Sequence, residues 1–268
     1  MTDALVLDLD TAQGEMDCPE LTFLECDPEL VERSLFSAIR GSNHEMAYHA
    51  AREACYREPD WEVRDRAFVQ LDRDWFVRLD LARPAIEACG EWKAIMSRVR
   101  RCILAPCIRR QDECAELYGQ HYRAAGGGEK PSLIIRLHPD SFCRPGHVQI
   151  LLRHELMHIN DMLDPRFDYD PSLSQFYDET GIPNAIRDRY RILWDVYIDG
   201  RLCAKYNTAH ETRTQRIREF GMLFRVLGTR SLDAFNWIFE ASTLTHQEIL
   251  AFARTPLSFF QQLDSERR

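Results

Sequence analysis

The sequence predicts a mainly α-helical protein of the α+β class. Apolar residues recur at helical spacing along most of the 268 positions, while one short stretch, SLIIRL at 132–137, is dense in β-branched and apolar side chains. Proline and glycine punctuate the segments between, which breaks the chain into many elements of ordinary length.

Residues 1–27 alternate apolar and acidic groups weakly, with Leu21, Phe23 and Leu24 offering one short strand near Cys26, so they read as a loosely attached N-terminal arm. Asp27 followed by Pro28 is a helix cap with proline in the first turn, and Leu30, Val31, Leu35, Phe36 and Ile39 continue at helical spacing up to Gly41. Further helices are expected over 43–57, 60–79 and 84–100, which makes 28–100 a helical N-terminal region. The aromatic face from Trp61 to Phe76 has the i, i+3, i+4, i+7 spacing of core packing.

After Arg101 the texture changes. Ile103 and Leu104 precede Pro106, glycines 126–128 make a flexible loop, and SLIIRL follows, so a small sheet is expected here. Pro145 opens a helix carrying Val148, Leu151, Leu152, Leu156 and Ile159, and Pro165 forbids its continuation past Asp164. Residues 164–183 contain three prolines and a glycine and are too long for an ordinary connection, which fits either a lid or a plain surface excursion. Helices are expected over 184–206, 213–228, 230–241, 245–253 and 256–264, so 101–268 reads as one core with C-terminal helices.

With 34 basic and 43 acidic side chains the formal charge is −9, which argues against nucleic acid as a partner because that affinity depends on Lys and Arg displacing counterions. The local run Arg98, Arg100, Arg101, Arg109 and Arg110 is answered by Asp112, Glu113 and Glu116, the pattern of a solvated face with salt bridges. The first fifteen residues lack the basic start and apolar core of an export signal, and no stretch reaches the roughly 18 apolar residues of a membrane span. A cytoplasmic protein without a membrane partner is expected. Nine cysteines, an odd number without a CxxC pair, read as reduced thiols, and Cys102, Cys107 and Cys114 match no common zinc spacing.

The chemistry sits at 154–158, His-Glu-Leu-Met-His. A helix places His154 and His158 one turn apart on the same face, so two imidazoles can grip one metal ion. Zinc held by three protein groups keeps a position for water and lowers that water's pKa to about 7. Glu155, beside the first histidine, is placed to accept the water's proton as general base and pass it to a leaving nitrogen. Leu151, Leu152, Leu156 and Met157 bracket the motif and can bury the opposite side of the helix.

With the strand SLIIRL before it and an acidic helix after it, His154-Glu155-x-x-His158 resembles the zincin metallopeptidases, most closely their gluzincin branch. The similarity spans about residues 130–206. It implies a zincin-like core in which the small sheet leads into the active-site helix, flanked by N- and C-terminal helical regions. It also implies one Zn2+ per chain and a third ligand on a downstream helix, within a Glu-x-x-x-Asp pattern whose Asp hydrogen-bonds a ligand histidine. The matching positions in WDVYIDGRL are Asp195 as metal ligand and Asp199 as its partner or as an alternative ligand; this chain departs from the branch in carrying Asp where Glu is usual. A metzincin-like reading would instead make Asp164 the ligand, with Asp161 at that pattern's glycine position, where a left-handed backbone disfavours it. Tyr190, Tyr197, Arg201 and His147 are available as donors to an oxyanion. The expected activity is zinc-dependent hydrolysis of a peptide or related amide bond, with a peptide or protein as substrate. The alternative is a zincin-fold binding or regulatory protein of weak or no turnover.

Overall fold

The structure, a computed structural model, describes residues 5–7, 24–119, 130–170, 184–206 and 210–259. It is mainly helical with one small mixed sheet, as the sequence predicts. Two compact units divide the chain, Met1–Ile159 and Asn160–Arg268.

The first unit is built on five strands: β1 (Leu5–Leu7), β2 (Leu24–Cys26), β3 (Arg101–Pro106), β4 (Cys114–Tyr118) and β5 (Ser132–Leu137), in the order β1-β2-β3-β5-β4. The central strands β2, β3 and β5 run parallel, and the outer strands β1 and β4 run antiparallel to their neighbours. β5 alternates half-buried and buried residues, with Leu133, Ile135 and Leu137 inward, and Cys102, Leu104, Leu24 and Cys26 continue that buried face. The described strands of the arm are therefore held in the sheet. The arm's last residues, Leu24–Cys26, form a sheet strand in register with Cys102–Leu104. The expected strand positions Leu21 and Phe23 lie outside the described residues.

Between β2 and β3 run α1 (Pro28–Ile39), α2 (Glu45–Tyr56), α3 (Trp61–Arg78), α4 (Arg83–Gly90) and α5 (Lys93–Met96). Parallel neighbours need such a crossover, and here it is five helices long. Asp27 caps α1 by accepting from Glu29 N at 2.8 Å, and Asp60 caps α3 by accepting from Glu62 N at 2.9 Å. Leu35, Ile39, Tyr48 and Trp75 pack the helices into a core, and Tyr48 donates to the buried Asp72 at 2.6 Å. The single helix expected over 84–100 is two short ones. Gly90 ends α4, and Trp92 leaves helical geometry at φ −117°, ψ 39° before α5 begins.

Helix α6 (His147–Leu163) follows the Pro145–Gly146 turn, in which Gly146 takes φ +71°. The second unit contains α7 (Asn184–Tyr206), α8 (His210–Leu223), α9 (Ser231–Phe239) and α10 (His246–Arg254). A Cβ on Gly200 would come within 1.8 Å of the Phe239 carbonyl oxygen, so glycine is what lets α7 and α9 approach closely. The helix expected over 213–228 stops at Leu223, and a 3-10 segment over Arg225–Arg230 takes its place, with Gly228 at φ +55°. Thr245 and Glu248 form a capping box at α10. The expected loop over 164–183 is described as far as Asp170, where Phe167 is buried and stacked on Trp194 at 5.3 Å; residues 171–183, and the end of the helix expected over 256–264, lie outside the described residues. No helix among the described residues is long and apolar enough to cross a membrane.

Candidate metal centre

The apolar stripe of α6 dictates how its polar side chains are presented. Val148, Leu152, Leu156 and Ile159 are fully or almost fully buried, which leaves His154, Glu155 and His158 half-buried. Three polar contacts within the first unit fix the helix's rotation. His147 Nε2 lies 3.1 Å from Glu113 Oε2, Arg153 Nε donates to Glu91 Oε2 at 3.0 Å, and the Ala115 amide donates to Glu155 Oε2 at 2.9 Å. Glu113 is itself tied down, accepting from His138 N at 2.9 Å and from Ser141 Oγ at 2.6 Å.

The motif's one-turn spacing brings His154 Nε2 and His158 Nε2 to 3.2 Å, with the ring planes 73° apart. Two nitrogens bound to one tetrahedral zinc at 2.0–2.1 Å would stand about 3.3 Å apart. The pair therefore has the separation that a shared cation requires.

In the second unit, the central turns of α7 are buried on nearly every side, from Leu193 to Gly200, and carry Asp195 and Asp199. His154 and His158 in the first unit and Asp195 in the second are each of a type that could join a group of metal ligands. Cys102, Cys107 and Cys114 form no such group, and the eight described cysteines are free thiols.

Asp195 and Asp199 share a partner that sequence reasoning missed. Arg216 of α8 donates from Nε to Asp199 Oδ2 at 2.6 Å, approaches Asp195 Oδ2 at 3.4 Å with Nη1, and donates to Glu219 Oε2 at 2.8 Å. Burial works against the guanidinium's charge, but the carboxylates of Asp195 and Asp199 outweigh it and hold the group above the ordinary arginine value. Nothing in HETRTQRIREF distinguishes Arg216 from Arg213 or Arg218.

The rival ligand, Asp164, is engaged elsewhere. It lies just past the end of α6 and pairs with Arg166 Nη2 at 2.8 Å. The sharp turn that a metzincin-like arrangement needs after the second histidine is absent, because α6 stays helical through Asp161 to Leu163. Asp161 is nearly fully buried and accepts from Arg201 Nη1 at 2.9 Å and from Trp194 Nε1 at 2.9 Å.

The four residues considered as oxyanion donors all have inward partners. His147 meets Glu113, Arg201 meets Asp161, the Tyr190 hydroxyl lies 2.7 Å from His246 Nδ1, and the Tyr197 hydroxyl accepts from Leu244 N at 3.0 Å. Burial raises the pKa of both tyrosines. The arrangement is thus rich in metal-ligating groups and holds a carboxylate, Glu155, oriented by a backbone amide.

Comparison with family models, curated proteins and solved structures finds no match to this chain.

Proposed function

We propose that the protein is a zinc-dependent peptidase or related amide hydrolase, with His154, His158 and Asp195 holding one Zn2+ and Glu155 serving as general base. The observation that carries this reading is the separation of 3.2 Å between the two imidazole Nε2 atoms. When bound, zinc supplies a Lewis acid and a water acidic enough to be deprotonated near pH 7. Glu155 would take the proton of the attacking water and deliver it to the departing amide nitrogen, so that it acts first as base and then as acid. The Ala115 amide would keep one of its oxygens in a fixed direction while the other meets the proton. A peptide or protein substrate in the cytoplasm is the setting we assign, and the free thiols are in keeping with a reducing compartment.

The test separates metal binding from turnover. Elemental analysis of protein purified without added metal is expected to return one zinc per chain, and peptide hydrolysis is expected to fall by at least about a hundredfold in Glu155→Gln, the scale of a lost general base, with zinc retained. Absence of zinc removes the proposal. Zinc with undiminished cellular function in Glu155→Gln would instead favour a metal-dependent binding protein.

A further inference from the structure

A groove of about 400 Å3 runs between α1, α2 and α3, wholly within the unit Met1–Ile159, and two guanidinium groups line it. Arg52 is fully engaged. Its guanidinium lies 4.8 Å from the centre of the Phe36 ring and 4.7 Å from that of Phe68, its Nη1 donates to the Tyr48 hydroxyl at 2.9 Å, and Glu32 and Asp72 each approach to 3.6 Å. Arg73 is the opposite case: its Nε and Nη2 are shut off from solvent and have no hydrogen-bond partner among the described residues. Those two nitrogens form one edge of the guanidinium, where parallel N–H bonds are spaced to grip both oxygens of a carboxylate. A buried charged donor without an acceptor is costly, so the fork is an anion site that the fold itself leaves unfilled. No hydrogen bond holds either nitrogen, and rotation about the last side-chain torsions turns the fork into the groove that Arg73 lines.

We propose that this groove binds a free amino acid with an apolar side chain, its carboxylate held by the Arg73 fork. A bare anion is disfavoured, because the carboxylates of Glu29, Glu32, Asp65 and Asp72 also line the groove and outnumber the guanidinium groups. Arg52 answers Glu32 and Asp72, and Arg33 answers Glu29 at 3.1 Å, so the ligand's ammonium meets the surplus negative charge that Asp65 brings. Val31, Phe68 and Val69 supply an apolar wall for its side chain. The volume lies at the small end of ligand sites, which suits a single amino acid and excludes a long chain. The inference owes nothing to the metal-centre reading.

The experiment is binding of leucine, methionine and phenylalanine to the full chain, followed by calorimetry and by the rise in melting temperature that a ligand of the native state produces. At least one is expected to bind with a dissociation constant below about 1 mM. Isocaproate and isoamylamine, which are leucine without its amine and without its carboxylate, are expected to bind at least about tenfold more weakly, since each leaves one charged partner unanswered. Arg73→Gln is expected to weaken leucine binding at least about tenfold, and Arg73→Lys, which keeps the charge and loses the fork, also weakens it. Absence of binding by all three amino acids at about 10 mM overturns the inference, as does undiminished binding in folded Arg73→Gln. Isocaproate binding as tightly as leucine overturns the assignment of an amine-bearing ligand. Should Arg73→Gln not fold, the Nε–H resonance of Arg73 in the wild type decides: it is expected to shift in step with leucine occupancy, and an unmoved resonance overturns the inference.

Discussion

Two acidic clusters within the unit Asn160–Arg268 respond to burial differently. Asp161, 2% exposed, has a guanidinium to itself: both Nη atoms of Arg201 and the indole Nε1 of Trp194 reach its carboxylate, and Arg201 in turn lies 3.8 Å from the centre of the Tyr197 ring. Asp195, Asp199 and Glu219 instead share the one guanidinium of Arg216. A carboxylate with a matched bidentate partner is a closed structural unit and asks for nothing more. Several carboxylates around one cation divide its charge among them, and the contact to Asp195, at 3.4 Å, is the longest of the three. Buried acids in this unit are therefore neutralised in two different ways.

The largest expected effect breaks the closed cluster. Asp161→Ala strands the Arg201 charge, whose side chain is only 19% exposed, and leaves the Trp194 N–H without its acceptor. Removing one partner of a buried pair costs about 3–5 kcal/mol, read as a lower urea midpoint with an unchanged slope. Zinc stoichiometry should not change. A loss under about 1 kcal/mol would mean that Asp161 is no more committed than a surface acid, and the contrast with Asp195 would disappear.

This contrast also explains what could be read from the sequence. His154, Glu155 and His158 were legible because a five-residue motif inside one helix fixes its own geometry: i and i+4 share a face whatever the rest of the chain does. SLIIRL was legible for a similar reason, since its composition suits the alternating burial that β5 shows. Asp195 emerged only through resemblance to the gluzincins, as no local pattern ties an acid on α7 to a motif on α6. Arg216 and the Ala115 amide were illegible. One is an arginine among arginines whose two aspartate partners lie on another helix, and the other is a backbone group that carries no residue-type signal. The short strand expected near Cys26 is present as β2, but its place in the sheet was illegible, because its pairing with β3 joins Leu24 to Cys102 across a large separation in the chain. The break after Gly90 escaped for the opposite reason: the apolar spacing continues across it, and only backbone dihedrals at Trp92 record the change.

A smaller effect comes from His246, a further buried polar group of this unit. It is fully buried, its Nδ1 meets the Tyr190 hydroxyl at 2.7 Å, and its Nε2 has no hydrogen-bond partner among the described residues. Desolvation lowers its pKa from 6.5, against the weaker pull of Asp170 and Asp168 in the other direction. The sign follows from proton counting. Below pH 6.5 the unfolded histidine binds a proton that the folded one still refuses, so stability is full above that value and declines as pH falls toward the folded pKa. Urea unfolding at pH 7 and pH 5 should show the decline, and His246→Gln should flatten it. An equal slope in the variant would assign the pH dependence to other groups.

The smallest expected effect lies within the shared cluster itself. Glu219 is its outermost member, with a side chain 26% exposed, and its pairing with Arg216 is an i, i+3 contact on α8. Such partly exposed pairs contribute about 0.2–1 kcal/mol, so Glu219→Gln should barely move the unfolding midpoint. Its effect on zinc is the sharper measurement. If Arg216 is held chiefly by Asp199 at 2.6 Å, zinc affinity stays within about threefold of wild type, a difference of roughly 0.7 kcal/mol. A much larger loss would show that the guanidinium keeps its place only when all three carboxylates surround it, and the difference between the closed and the shared cluster would then be one of mutual dependence as well as of charge.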